Sequence, residues 1–429
     1  MTRKRGFVPR LLVLLAVFAM VAAACSSSDD TTTTTAGEAA TTTVAEASGE
    51  PIVVGGSLAL TGFLAPTAAI HQVAGDLFVE TLNEAGGLLG RPVVWEPLDD
   101  ESVPDNAASI YERVISEDGV DLIMGPYGTG TITAAMAVAE REGMVFPHHT
   151  ASLTYAYTYA CHFPTWPTGV TTNISNPTLV FEALEASGNP PATIAFVMNE
   201  FPGTQYIAYG PPDSADGGAI KVAEEDFGYD VVAEINFPTG TTDWAPIAAQ
   251  IADADPDFIY VGALGIDGVG FLTALDAIGY VPRGHFYQWP APGPLLGAPN
   301  SEGAFSVTTF EPHSPFTDDP EAAAIAADFS DAAAAAGIPY TAFEAQASVS
   351  WAAWEVLTAG VEGAGSLDHD AICDWLLNNE VDTIIGPIDF DPAQQNYYGD
   401  LSKVKQIQDG DWVVVYQEEF AKPGSVPEL

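Results

Sequence analysis

The sequence is poor in basic side chains. Its 429 residues hold 12 lysines and arginines against 58 aspartates and glutamates, a formal net charge of −46. Neutralising phosphates takes Lys and Arg, so nucleic-acid binding is excluded, and anionic lipid headgroups repel such a chain. The acidity bears on solubility and non-specific contacts rather than on fold. Cysteine is scarce as well: Cys25, Cys161 and Cys373 are too far apart in sequence for metal-ligand spacing. Long apolar runs are also missing. A membrane-spanning helix needs roughly 20 apolar residues, and the run 11–24 has fourteen.

Enzyme signatures are absent in turn. There is no G-x-S-x-G, no H-E-x-x-H and no G-x-x-x-x-G-K-[ST]. GTGTIT at 128–133 comes nearest to a dinucleotide fingerprint, but Thr133 stands where the third glycine belongs. The acid that would hold a ribose about 20 residues on is replaced by His148-His149-Thr150. Adjacent residues at a strand end point to opposite sides, so His148 and His149 do not make a metal pair. No cofactor, no metal and no catalytic residue are expected.

What is present begins with a leader. Arg3, Lys4, Arg5 and Arg10 precede the run 11–24, and small residues follow. This is the layout of a secretory signal. The run closes on Val21-Ala22-Ala23-Ala24-Cys25. That segment resembles the bacterial lipobox, whose cysteine takes a diacylglycerol, although Ala22 stands where leucine is usual. The alternative is an ordinary signal peptide with an unmodified Cys25. Residues 26–50 carry five acids, no base and no apolar periodicity. They cannot bury enough surface to fold and read as a tether with a coil dimension of about 25–30 Å. The expected location is the bacterial cell envelope, anchored by lipid to the outer face of the cytoplasmic membrane, with no other contact to the membrane.

The remainder, 47% hydrophobic over the whole chain, exceeds one ordinary core. Strands are predicted at 52–58, 93–98, 122–124 and 144–146. The intervening helices include 70–82, with apolar residues at helical spacing, and 131–142. Ser102 is placed as cap of the helix that holds Asp105. After the aromatic passage Phe163-Pro164-Thr165-Trp166-Pro167 the pattern repeats. Strands are predicted at 193–198, 231–237, 258–262 and 285–288, and helices at 178–187, 205–226, 244–254 and 268–278. Three helices follow (320–336, 342–360, 369–379), then short strands at 382–385, 402–408 and 411–416. Strand–helix alternation with short connections implies α/β architecture: two Rossmann-like lobes with parallel sheets covered on both faces. Such sheets bind ligands at the carboxyl ends of their strands.

A series of motifs joins these elements: GSLALTG (56–62), NEAGGLLGRPV (83–93), LDDESVPDNAAS (98–109), DLIMGPYGTGT (121–131), VFPHHTASLT (145–154) and TIIGPIDFDPAQQ (383–395). In order and spacing they resemble the Leu/Ile/Val-binding family of ABC-transporter substrate-binding lipoproteins, which have the type I periplasmic-binding fold. The resemblance covers roughly residues 52–416. It implies a non-enzymatic, monomeric receptor whose two lobes are joined by a three-crossover hinge, and which delivers a small-molecule ligand to ABC permease subunits. The organisation expected is a signal at 1–24, a tether at 25–50, and one lobe from 51–168 plus 312–396. The other lobe is 169–311 plus 397–418, and 419–429 form a tail. A ligand-sensing subunit of a signalling system and an envelope enzyme are the alternatives on this scaffold.

The resemblance places ligand contacts at Thr129, in the loop Tyr127-Gly128-Thr129, and at Thr150 beside His149. Hydroxyls and N–H groups at a helix N-terminus suit a carboxylate; the plainer role for Thr129 is to cap the helix. In the second lobe the family often has a tyrosine after its first strand, where this chain reads Asn199-Glu200-Phe201. The family's acid for a ligand ammonium falls near Gln288-Trp289-Pro290-Ala291, and no acid is there. A buried ammonium without a counter-charge is expensive, so either Glu200 or Asp267 substitutes or the ligand is not an amino acid. Tyr127, Phe201 and Trp289 suggest an aromatic lining, the alternative for each being ordinary core packing, and Phe63 is a further candidate contact. The ligand class is a branched-chain amino acid or a related small carboxylate or amide. Finally, Cys161 and Cys373 are an even pair in an oxidising compartment and are expected to form a disulfide; the alternative is two buried thiols.

Overall fold

A computed structural model describes residues 47–150, 153–215 and 217–429. They lie in one compact unit spanning 44–429. The leader, Cys25 and nearly all of the tether lie outside the described residues.

The chain opens with β1 (Ile52–Leu58), α1 (Ala65–Glu84), β2 (Val93–Trp95), β3 (Leu98–Asp99), α2 (Pro104–Arg113), β4 (Leu122–Met124), α3 (Thr129–Glu142), β5 (Phe146–His148) and β6 (His162–Pro164). It continues through α4 (Thr172–Ala186), β7 (Thr193–Asn199), α5 (Pro202–Tyr209), α6 (Ala219–Lys221), β8 (Asp230–Phe237), α7 (Ala245–Ala254), β9 (Phe258–Gly265), α8 (Asp267–Ala277), β10 (His285–Pro290), α9 (Pro292–Leu296) and β11 (Ala304–Thr308). The last elements are α10 (Pro320–Ala335), α11 (Ala345–Ala364), α12 (His369–Leu376), β12 (Val381–Thr383), β13 (Gly386–Ile388), β14 (Lys403–Gln408) and β15 (Asp411–Tyr416).

In the first lobe β1 pairs in parallel with β2, β3 and β4. Gly125 N–H donates to Pro147 O at 2.9 Å, which carries the sheet toward β5, and β5 pairs in parallel with β6. The second sheet has the order β15-β14-β11-β10-β9-β7-β8. Its strands β8, β7, β9, β10 and β11 are parallel. At its edge the sheet turns antiparallel: β14 runs antiparallel to β11 and to β15. Asp409 and Gly410, at φ 55° and 78°, join β14 to β15. A two-residue loop with both φ positive is the tight turn that matches strand twist, and Asp-Gly is among its favoured sequences.

Three crossings join the lobes. The first follows β6. The second follows β11 and brings α10 and α11 back to pack on α1. The third returns the chain to the second sheet as β14. The crossings are tied together: Thr165 Oγ1 donates to Val349 O (2.7 Å), Tyr398 OH to Thr165 O (2.9 Å) and Leu401 N–H to Pro167 O (2.9 Å).

Local differences from the sequence reading have local causes. The helix expected over 205–226 is two short pieces, since Gly210-Pro211-Pro212 cannot continue α5. Ser102 does not cap α2, whose N-cap is Val103. Its hydroxyl instead donates to Thr61 O (2.8 Å) and accepts from Leu64 N–H (3.2 Å), which fixes the turn into α1. Cys161, just before β6, and Cys373, in α12, are joined by a disulfide with Cα atoms 5.5 Å apart.

Candidate functional site

The carboxyl ends of β4, β5, β7, β9 and β10 converge on one cavity. From the first lobe, β4 runs through Gly125 and Pro126 into Tyr127, Gly128 and Thr129. Gly128 has φ 101°, a conformation that favours glycine, and a Cβ there would come within 2.7 Å of Leu64 Cδ1, which would have to shift. Thr131 fastens the turn by donating to Tyr127 O (2.6 Å) and Gly128 O (2.8 Å). Gly128 and Thr129, at the start of α3, thereby line the cavity wall. Thr150, two residues past β5, accepts from Gly128 N–H at 3.4 Å. Leu64 adds an apolar contact from the start of α1.

The second lobe contributes Phe201 after β7, Leu264 near the end of β9 and Trp289 near the end of β10. Two further residues come from outside both sets of strand ends. Trp166 sits in the first crossing, and Gln346 in the first turn of α11. None of the residues lining the cavity is Asp, Glu, Lys or Arg.

Of the residues singled out in the sequence, Tyr127, Gly128, Thr129, Thr150, Phe201 and Trp289 line this cavity. Thr129 is the first residue of α3 rather than its cap, which is Gly128. Phe63 is 48% exposed and meets Phe201 edge-on, with centroids 6.5 Å apart. His149 lies one layer behind the wall. Its ring stacks on His71 at 4.1 Å, and His71 in turn lies 4.6 Å from Tyr127. Burial drives the His149 imidazole well below its ordinary pKa, with His71 and His148 adding to the effect. His148 points the other way, to His162 at 3.0 Å.

Neither acid proposed for an ammonium faces the cavity. Glu200 is exposed, and its backbone N–H donates to Phe237 O (2.8 Å). Asp267 Oδ2 accepts from Asn199 Nδ2 (2.8 Å) and from Leu264 N–H (3.1 Å), so it ties the end of β7 to the end of β9. Gln288 is buried and donates to Asn176 Oδ1 at 2.8 Å. Glu344, next to Gln346, is engaged twice: it accepts from Gln346 N–H (3.0 Å) and pairs with Lys405 Nζ (3.3 Å).

Leu64, Trp166, Leu264 and Gln346 escaped the sequence reading. Trp166 carried a signal, an aromatic within a Pro-rich link between two repeats. Leu64, Leu264 and Gln346 carried none. Among the described residues no group of three or more His, Cys, Asp or Glu could hold a metal ion, and no helix is long and apolar enough to cross a membrane.

The family model described as "periplasmic binding protein" matches residues 51–410. The chain belongs to the periplasmic binding protein family. It is 25% identical over 372 residues to a Leu/Ile/Val-binding protein homolog 3 from Brucella melitensis, covering 83% of this chain and 90% of that one. A second similarity is local. It is 38% identical over 108 residues to the chemotactic signal transduction system substrate-binding protein BasB of Halobacterium salinarum. That match covers 24% of this chain and spans only 26% of the relative. Among solved structures, the solute-binding protein of an ABC transporter from R. palustris, in complex with benzoate, superposes with a TM-score of 0.67 at 19% identity. The match covers 86% of this chain and 99% of that one. The fold is therefore the type I periplasmic-binding fold. The relatives are binding proteins rather than enzymes, and the family places the chain outside the cytoplasm.

Proposed function

We propose that this chain is the solute-binding lipoprotein of an ABC importer. It is anchored through Cys25, acts as a monomer, and hands one small molecule to membrane permease subunits. The observation that carries the reading is the cavity: uncharged, rich in aromatic rings, and walled by strand ends of both sheets and by a crossing between them. The moving bodies are 51–168 plus 312–396 and 169–311 plus 397–418. Closing them excludes water from a ligand whose apolar body packs on Tyr127, Phe201 and Trp289 and whose polar head meets Thr150 and the start of α3. A Leu/Ile/Val-binding relative and a benzoate-bound neighbour share the fold. Branched-chain amino acids and small aromatic or branched carboxylates or amides are thus the ligand classes we propose.

A signalling subunit is the second reading, favoured by the local similarity to BasB. Deleting the chain and following uptake of labelled leucine and benzoate tests the first. Loss of uptake of one of them, restored by the wild-type chain, supports import. Unchanged uptake of both with loss of a chemotactic response would replace import by sensing.

A further inference from the structure

Gln346 is buried, in the first turn of α11, and lines the cavity. Its Oε1 lies 3.0 Å from Nε2 of His71, a residue 275 positions earlier in the chain. Burial pushes the His71 imidazole down to about 3, so the ring is neutral and only one of its nitrogens carries a proton. The other nitrogen, Nδ1, is buried with no partner among the described residues. Buried N–H groups without acceptors are rarer than unpaired acceptors. The proton therefore sits on Nε2, which donates to Gln346 Oε1. The stack of His71 between Tyr127 and His149 holds the ring in that plane. The consequence is directional. The oxygen of the Gln346 amide is turned toward His71, and its NH₂ group, which donates to no described atom, is the part left for the cavity.

We infer that the Gln346 amide, positioned by His71, is a ligand-binding donor that selects a head group made of acceptors, a carboxylate or an amide carbonyl, over an α-amino acid. The inference rests on the reading of this cavity as the ligand site. A ligand carboxylate would meet the Gln346 NH₂ group and lie beside the Thr150 hydroxyl, which is 3.3 Å from His149 Nδ1. An ammonium would find no carboxylate on the wall: no Asp or Glu is among the residues lining the cavity, Glu200 is exposed, and Asp267 and Glu344 lie off the wall, tied to Asn199 and Leu264 and to Lys405.

The test is calorimetry with three probes that share one body: 4-methylpentanoate, 4-methylpentanamide and leucine. Wild type is expected to bind the first two at least ~10-fold more tightly than leucine, the scale of one unpaired buried group. Gln346→Glu replaces the donors with a carboxylate of the same shape. It is expected to weaken 4-methylpentanoate ~100-fold, the range of a lost charge-assisted bond. It should weaken the amide far less, because the amide can donate to the new carboxylate. Gln346→Met, neutral and of similar volume, should weaken both. His71→Phe keeps the ring stack but frees the glutamine oxygen. It should raise leucine relative to 4-methylpentanoate, a change of ratio that general loosening would not produce. Leucine binding to wild type as tightly as 4-methylpentanoate overturns the inference, as does failure of both acceptor-headed probes to bind. An unchanged carboxylate-to-amide ratio in Gln346→Glu also overturns it. Leu264→Trp, which fills the cavity, separates the two levels. Binding that survives Leu264→Trp contradicts the cavity as the site. Binding lost there but unaltered in Gln346→Glu contradicts only the role of Gln346.

Discussion

Lys405 Nζ lies 2.7 Å from Glu311 Oε1, and neither side chain is more than 2% exposed. Glu344 Oε2 completes the group at 3.3 Å. The three residues come from different strokes of the chain: Lys405 from β14 after the third crossing, Glu311 from the second crossing, Glu344 from the turn into α11. Taking such charges out of water costs several kcal/mol each, recovered only while all partners are present. The cluster therefore locks the crossings in register beneath the cavity. Glu344 and Lys405 line a smaller pocket that shares Trp166, Trp289 and Gln346 with the cavity.

Lys405→Met leaves two carboxylates buried without a cation. The expected loss is about 3–5 kcal/mol in urea unfolding, the range for breaking a buried pair from one side. Neutralising all three positions (Lys405→Met, Glu311→Gln, Glu344→Gln) should recover most of it. A single-variant loss below ~1 kcal/mol, within the range of exposed ion pairs, would show that the cluster is not sealed from water.

Stability should depend on pH through Glu311. Burial, with Glu344 adding to it, pushes this carboxyl up to about 7 against the pull of Lys405. Between the ordinary glutamate range and about 7 the folded chain holds a proton that the unfolded chain has released. The stabilising contribution is full below the unfolded value and disappears as pH rises through about 7, up to about 3 kcal/mol in all. Urea midpoints of wild type and Glu311→Gln, compared from pH 4.5 to 7.5, isolate the effect. The wild-type advantage should shrink as pH rises, and a constant difference would contradict the assignment.

The bridge between Cys161 and Cys373 closes a loop of 212 residues within the first lobe. Closing so long a loop restricts the unfolded chain and is worth about 3–5 kcal/mol. In denatured, unreduced protein neither cysteine should alkylate, and reduction should lower the urea midpoint accordingly. Full alkylation of both without reductant would mean two buried thiols instead.

Cys25 is expected to carry a diacylglycerol after cleavage of the leader. Native protein should enter the detergent phase on partition, and Cys25→Ser should either stay uncleaved or appear in the aqueous phase. Intact mass showing cleavage elsewhere and an unmodified Cys25 would remove the anchor from the account.

Much of the fold was legible because it rests on short-range pattern. β1, β4 and β15 begin and end where the apolar runs do. Their neighbours were harder to place. Phe146-Pro147-His148 forms β5 two residues later than predicted, since a proline inside a strand hides the signal. β11, sequence AFSVT, is buried along its whole length and has no alternation to read. At the site, the residues on β–α loops could be anticipated, because strand ends and helix starts declare themselves. The His71–Gln346 pair could not, since its members are joined only by the return of the chain across the second crossing. Asp267 illustrates the reverse case. A carboxylate at a strand end is a natural ligand contact, but here the Leu264 N–H and the Asn199 amide take its oxygen first.

The central claim is that the uncharged cavity holds a small molecule with an apolar body and an acceptor head. Native mass spectrometry of protein taken from its own cell envelope tests it most directly, run beside the Leu264→Trp variant. The account predicts one small molecule per chain in the wild type, released on denaturation, bearing a carboxylate or amide and no ammonium, and absent from Leu264→Trp. The same molecule retained by Leu264→Trp would contradict the cavity as the site, and a released α-amino acid would contradict the acceptor-head selection assigned to Gln346.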